Sequence, residues 1–185
     1  MSLKDLTKEK HTDAERTEFA NLLLSGNITT EQYALYLLQM LEVYSVLEFH
    51  CARLNLFEDL AGLPRVLNIY NDLKELGIPT AQLKLLDSSK NYINYLNELA
   101  EDEQRNHLLM AHLYVRHMGD LFGGQMIKQK VPGSGSFYEF NNRSDLIAKV
   151  RSKLDDNLGD EANVAFDHAI NIMKELNEPS LEQAH

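Results

Sequence analysis

The longest regular pattern in the chain begins at Thr29, after which Tyr33, Leu37, Leu41, Tyr44, Leu47, Cys51 and Leu54 recur at intervals of three or four. That spacing lines one side of a long helix with apolar groups, and Thr29 with Gln32 supplies the capping box that starts it. Ahead of it, Ser2 with Asp5 marks the start of a first helix that carries His11 and is expected to run to about Leu24, where Gly26 and Asn27 punctuate. Pro64 suits the first turn of a third helix ending at Leu76, with Gly77, Ile78 and Pro79 as its stop. From Asp87, helical spacing resumes through Tyr92, Tyr95, Leu96 and Leu99. The acidic patch Glu101 to Glu103 is expected to open the next helix, which contains HLLMAHLYVRHMGDLFGGQMIKQK. Val131 to Asn142, with Pro132, Gly133 and Gly135, reads as a loop, and two helices follow at about Ser144 to Leu158 and Asp160 to Asn177. No stretch alternates with period two and no segment repeats. The predicted class is therefore all-α: a single-domain multi-helix bundle over residues 1–178, with a short tail at 179–185.

Composition narrows the possible chemistry. With 185 residues, 44% of them hydrophobic, the chain can bury a real core. Its longest apolar runs, such as Leu22 to Leu24, are too short for a bilayer, and the opening MSLKDLTKEK lacks the apolar stretch of a signal peptide. The expectation is a soluble cytoplasmic protein with no membrane partner. The single cysteine, Cys51, allows neither an internal disulfide nor a multi-thiolate cluster and reads as a small core residue. A formal net charge of −10 speaks against nucleic-acid binding. The positive charge is nonetheless clustered: Lys4, Lys8 and Lys10 near the start, then Arg143, Lys149, Arg151 and Lys153, before an acidic stretch from Asp155 to Glu182. These two groups are either solvated helix faces or the two sides of a seat for an anionic ligand.

Gly119, Gly123 and Gly124 interrupt an otherwise strong helix, each at a cost of about 1 kcal/mol relative to alanine. Two readings explain them. The missing side chains admit either a neighbouring helix or a flat ligand, and they let the helix bend. Arg116 and Asp120, one turn apart beside the gap, favour a polar cavity.

His112, Tyr114, Arg116 and the run Gly119-Asp120-Leu121-Phe122-Gly123-Gly124-Gln125 resemble the distal-helix signature of the heme oxygenases. Lys10-His11-Thr12-Asp13-Ala14-Glu15 resembles that family's proximal segment. The helix from Thr29 to Glu48, the VRSK segment and Ala165-Phe166 follow in the family's order, so the resemblance extends from Leu3 to about Leu176. It implies heme held between a proximal N-terminal helix and a glycine-kinked distal helix. His11 would be the axial iron ligand, with Glu15 bonded to its other ring nitrogen. Gly119, Gly123 and Gly124 would lie against the heme plane. Asp120 would organise ordered water that hydrogen-bonds activated oxygen, with Arg116 and Tyr44 in the same network. Lys4, Lys8, Tyr114 and Arg151 match positions near the heme propionates, and Phe166 matches an aromatic lining the pocket.

The implied reaction is oxidation of heme by dioxygen to biliverdin, the alpha isomer being usual in the family, with carbon monoxide and ferrous iron. Heme is then cofactor and substrate. The chain has no flavin or dinucleotide fingerprint, so the electrons imply ferredoxin or another reductase, docking on the basic edge around Lys4, Lys8 and Arg151. A biliverdin-consuming reductase is a further implied partner. Three positions depart from the family pattern: Phe122 stands where many members carry serine, Ile147 where some carry a base, and His117 where an aromatic is common. The rival readings are a heme carrier that keeps His11 without turnover, a thiaminase-like enzyme using Cys51, and a di-iron bundle, for which only Glu182 and His185 have the required spacing.

Overall fold

The computed structural model describes residues 1–178, so the tail at 179–185, with Glu182 and His185, lies outside the described residues. The helices are α1 (Leu3–Glu15), α2 (Glu18–Ser25), α3 (Thr30–Arg53), α4 (Val66–Leu76), α5 (Asp87–Glu101), α6 (Leu109–Phe122), α7 (Gly124–Ile127), α8 (Arg143–Ser152) and α9 (Gly159–Leu176). No strand occurs among the described residues, as the lack of period-two alternation predicts. No described helix is long and apolar enough to cross a membrane.

Both capping boxes form. Ser2 Oγ accepts from Asp5 N at 3.3 Å, Thr29 Oγ1 accepts from Gln32 N at 3.1 Å, and Gln32 Oε1 accepts from Thr29 N at 2.9 Å. The expected first helix, however, is two helices. Thr17 leaves the helical conformation at ψ 147 and its hydroxyl accepts from Ala20 N, so it caps α2 from inside the apolar pattern. The acidic patch likewise ends a helix rather than opening one. Glu101 closes α5, the Asp102 carboxylate accepts from Gln104 N at 3.0 Å, and α6 starts only at Leu109 after a 3₁₀ turn over Asn106–Leu108. The last expected boundary also moves: α8 stops at Ser152, and a 3₁₀ turn at Asp156–Leu158 leads into α9.

In the tertiary packing α6 lies against both α3 and α9, and α1 packs along α9. Most of the apolar row is enclosed, with Tyr33, Leu37, Tyr44, Leu47 and Cys51 buried and Leu41 and Leu54 half-buried. Gly159 lets α9 approach α1 closely, since a Cβ there would stand 2.8 Å from Leu6 Cδ1. Leu3 N donates to Asp156 Oδ1 at 2.8 Å and Lys10 Nζ pairs with Asp167 Oδ1 at 2.6 Å, fastening both ends of α1. Thr29→Ala should remove the hydroxyl that accepts from Gln32 N, while the backbone N–H at position 29 can still donate to Gln32 Oε1, and should destabilise the fold by about 1 kcal/mol. In a chain of this size that lowers Tm by about 2–4 °C in a thermal melt, and an unchanged Tm would show that tertiary packing alone sets the start of α3.

Candidate functional site

The centre of the molecule is more polar than an ordinary core. Tyr44 on α3 donates to Asp120 Oδ2 on α6 at 2.5 Å, and the Arg116 guanidinium lies 5.5 Å from the Tyr44 ring centroid. Arg116 Nη2 donates to Met40 Sδ at 2.8 Å, while Arg116 Nε is buried with no partner among the described residues. Burial pushes the Asp120 carboxyl up to about 6, against the opposing pull of His117, Arg116, the Tyr44 hydrogen bond and Arg65. Tyr44, Arg116 and Asp120 are thus brought together, as expected for them.

The three glycines do different things. Gly119 and Gly123 are exposed, and with Phe122 they form one open strip of α6. A Cβ at Gly119 would meet nothing within 4 Å, and one at Gly123 only the Gly119 carbonyl. Gly124 faces inward instead: a Cβ there would stand 3.0 Å from Tyr138 Cγ and closer still to Cδ1. Its lost side chain makes room for an aromatic ring of the protein, so the packing and ligand readings each hold for part of the motif. The helix breaks at the same place, and Arg143 Nε donates to the Leu121 carbonyl at the end of α6.

On α1, Lys4, Lys8, His11 and Glu15 follow one another at three- and four-residue intervals and are all exposed. His11 Nε2 lies 3.5 Å from Glu15 Oε1, and its ring meets Phe166 of α9 edge-on at 5.8 Å between centroids. Tyr114 is half-buried on α6 and Arg151 is exposed on α8. Among the described residues, no hydrogen bond or ion pair joins Lys4, Lys8, Tyr114 and Arg151 to one another. Lys10 and Lys149 are already engaged, the latter with Asp145 at 2.9 Å.

The chain matches the heme oxygenase family over residues 1–175. It belongs to that family. Among curated relatives it is 30% identical to mouse heme oxygenase 2, covering 95% of this chain but 64% of the relative. It is 29% identical to heme oxygenase 1 of Nostoc sp., covering 92% of this chain and 82% of that one. The chain thus spans just under two thirds of the mammalian relative's length. The fold superposes on heme oxygenase-1 of the cyanobacterium Synechocystis sp., solved in complex with heme, with a TM-score of 0.81 and 26% identity over 95% of this chain and 90% of that one. Heme oxygenase from Leptospira interrogans gives a TM-score of 0.80 and 25% identity, covering 95% of this chain and all of the other.

Several structural partners of this heme oxygenase-family core were missed from sequence. His117 Nε2 lies 2.9 Å from Glu48 Oε1, and Glu48 also accepts from the backbone of Arg65 at 2.5 Å and Val66 at 3.2 Å. The His117 ring stands 5.1 Å from that of Tyr44, so it packs there as an aromatic. Glu48 had a visible signal, being a carboxylate among the apolar positions Leu47 and Cys51 of α3. His112 is held by Tyr92 through Nδ1 and by Glu161 through Nε2, both at 2.7 Å. Burial works to raise the Glu161 carboxyl, but hydrogen bonds from His112 and Tyr95 outweigh it and leave it below the ordinary range. Cys51 is enclosed, and burial raises its thiol far above the range of a reactive cysteine, which removes the basis for a thiol nucleophile.

Gly124→Ala should destabilise the protein by about 1–3 kcal/mol through overpacking on Tyr138, whereas Gly119→Ala should be neutral or stabilising by up to about 1 kcal/mol. Urea denaturation of both variants checks this, and equal effects would overturn the division of roles. The pH dependence of stability reports on Asp120. Its folded value lies above the ordinary 3.8, so its stabilising contribution is present at low pH and is lost as pH rises through about 6. Wild-type stability relative to Asp120→Asn should therefore fall between about pH 4 and about pH 6. A difference that stays flat across that window would show that Asp120 is not desolvated.

Proposed function

We propose that this chain is a heme oxygenase that opens the heme ring with dioxygen and externally supplied electrons, giving biliverdin, the alpha isomer, with carbon monoxide and ferrous iron. The observation that carries the reading is the open strip at Gly119 and Gly123 lying directly beside a buried carboxylate–tyrosine–guanidinium group. A planar ligand can approach the α6 backbone there, and the carboxylate beneath is held by Tyr44.

The residues present fit heme. His11 offers an exposed imidazole beside Phe166 and Glu15, and it would be the residue that holds the heme iron. Phe166 would line the pocket wall, and Lys4, Lys8, Tyr114 and Arg151 would meet the propionates. Heme, when bound, supplies the iron at which dioxygen is reduced and the ring that is oxidised.

The protein's own contribution is positioning and proton handling. The Tyr44 hydroxyl occupies Asp120 Oδ2, leaving Oδ1 to hold an ordered water at the open strip. With its carboxyl raised to about 6, Asp120 can take up and return a proton near neutral pH, whereas an ordinary aspartate would stay ionised. Arg116 stays charged, and its unpartnered Nε is a buried donor suited to an ordered water in the same network. Gly119 and Gly123 exclude nothing, so access at that face depends on the ligand filling it. Ferredoxin is the proposed electron donor, an acidic protein meeting the cations at Lys4, Lys8 and Arg151 in a chain whose net charge is −10.

One equivalent of hemin should produce a Soret band, and ferredoxin, its reductase and NADPH in air with an iron chelator should replace it with biliverdin absorption. His11→Ala should lose the axial complex. Asp120→Ala should keep hemin and lose ring opening by on the order of a hundredfold. A stable heme complex under every donor would make the protein a carrier, and no hemin uptake would overturn the reading.

A further inference from the structure

Tyr92 of α5 is fully buried, and its hydroxyl lies 2.7 Å from His112 Nδ1. On the far side of that imidazole, Nε2 lies 2.7 Å from Glu161 Oε1 of α9, and the same oxygen accepts from the Tyr95 hydroxyl at 2.6 Å. The protonation states follow from these partners. Glu161 is ionised despite its burial, because His112 and Tyr95 both donate to it, and burial keeps the His112 imidazole neutral. Burial also raises both phenols, Tyr95 to about 12, so each keeps its proton. An ionised Glu161 requires a proton on His112 Nε2, which leaves Nδ1 as a lone pair facing the Tyr92 hydroxyl. Each phenol therefore has a proton acceptor of its own, an imidazole nitrogen for Tyr92 and a carboxylate for Tyr95.

The rings of this group run from the core outward. Tyr92 and His168 lie face to face, 4.5 Å between centroids and 6° between planes, and Tyr95 stands 5.0 Å from His168. His112 is 5.5 Å from Tyr92 and 5.7 Å from Tyr95. At the inner end, His112 is one turn of α6 from Arg116, whose charge acts on the Tyr92 phenol. At the outer end, Tyr95 and His168 are half-buried, and the exposed Arg105 donates to the Tyr95 hydroxyl at 3.5 Å. Apolar side chains at 92 and 112 would fill the same space with no hydrogen bond to satisfy, so packing alone does not require this group.

We propose that Tyr92, His112, Glu161 and Tyr95 form a proton-coupled electron relay that carries electrons from a surface reductant to the heme pocket when a peroxide is consumed there. The relay rests on the heme reading above, which supplies the place where peroxide is reduced. Tyr92 gives up one electron as its O–H bond breaks, and the proton moves to His112 Nδ1, making an imidazolium still bonded to Glu161. Tyr95 then returns an electron to Tyr92 through the His168 stack. Its own proton passes to Glu161 Oε1, and His112 gives its proton back to the Tyr92 oxygen. A small one-electron reductant at the surface restores Tyr95, which recovers its proton from Glu161. A peroxide ROOH takes up two electrons and two protons to become ROH and water, so two passages consume one peroxide. With ascorbate as reductant, two monoanions each lose one electron and one proton, the protons travelling through solvent.

The test uses the ferric hemin complex of the whole chain, cumene hydroperoxide and ascorbate. Freeze-quenched samples should show a tyrosyl EPR signal that narrows when the chain carries ring-deuterated tyrosine. Tyr92→Phe, which removes the hydroxyl alone, should lose that signal and slow ascorbate-dependent peroxide reduction by on the order of a hundredfold. Tyr95→Phe should keep the signal and make it outlive added ascorbate. In the heme-free chain, nitrogen NMR should place the His112 proton on Nε2 alone. A proton on Nδ1 would leave Tyr92 without an acceptor and overturn the relay. So would the absence of a tyrosyl signal in wild type, or the same signal and turnover in Tyr92→Phe, which is the result expected if the pair only packs the core. Unchanged decay in Tyr95→Phe would overturn its place at the outer end. If wild type takes up no hemin, the heme reading falls and the relay with it, whereas normal uptake with an unaffected Tyr92→Phe removes the relay alone.

Discussion

Four side chains that prefer water, His112, Arg116, His117 and Asp120, are buried on one helix, and each would cost several kcal/mol there without a partner. The arrangement of the bundle follows from meeting that requirement. Tyr92 from α5 and Glu161 from α9 close on His112, Glu48 from α3 closes on His117, and Tyr44 and Met40 from α3 close on Asp120 and Arg116. Apolar packing alone would let α6 rotate about its axis with little penalty. Bonds to three different helices leave it one orientation, and that orientation turns Gly119, Phe122 and Gly123 outward.

The break after Phe122 is the second consequence. At Gly124 the chain passes so close to Tyr138 that no side chain fits, and Tyr138 is itself held by a 2.8 Å contact between its hydroxyl and that of Tyr36. Gln125 Nε2 donates to the Tyr138 carbonyl at 3.0 Å, so the short helix α7 is tied to the turn it packs on. The direction in which α6 ends is therefore decided by a ring from a loop remote in sequence.

The chain is acidic overall, yet cations with no ion-pair partner among the described residues stand on two helices: Lys4 and Lys8 on α1, Arg143 and Arg151 on α8. Lys10 and Lys149 belong to the same sequence clusters but are taken up by Asp167 and Asp145. Clustering along the chain did not separate the paired lysines from the unpaired cations: Asp167 reaches Lys10 from another helix, whereas Asp145 and Lys149 pair one turn apart on α8 itself.

Most of the helical framework was legible because it depends on near neighbours. The capping boxes at Ser2 and Thr29, the stop at Gly77 and the apolar row from Tyr33 to Cys51 are decided within a few residues, and the structure keeps all of them. Thr17 escaped notice because a cap inside an apolar pattern looks like one more polar position, and Glu101 closes α5 although the helix dipole disfavours a carboxylate at that end. Motif spacing placed Arg116 and Asp120 together, and the resemblance added Tyr44 and His11. What the sequence by itself determined was the set of helices and the chemical groups on each. Only the tertiary structure decided that Gly124 packs while Gly119 stays open, that His117 answers to Glu48, and that the Phe122 ring carries Arg143 and Arg151. Each of those outcomes is a contact between residues on different elements, and spacing along one helix specifies which face a side chain occupies but not what stands opposite it.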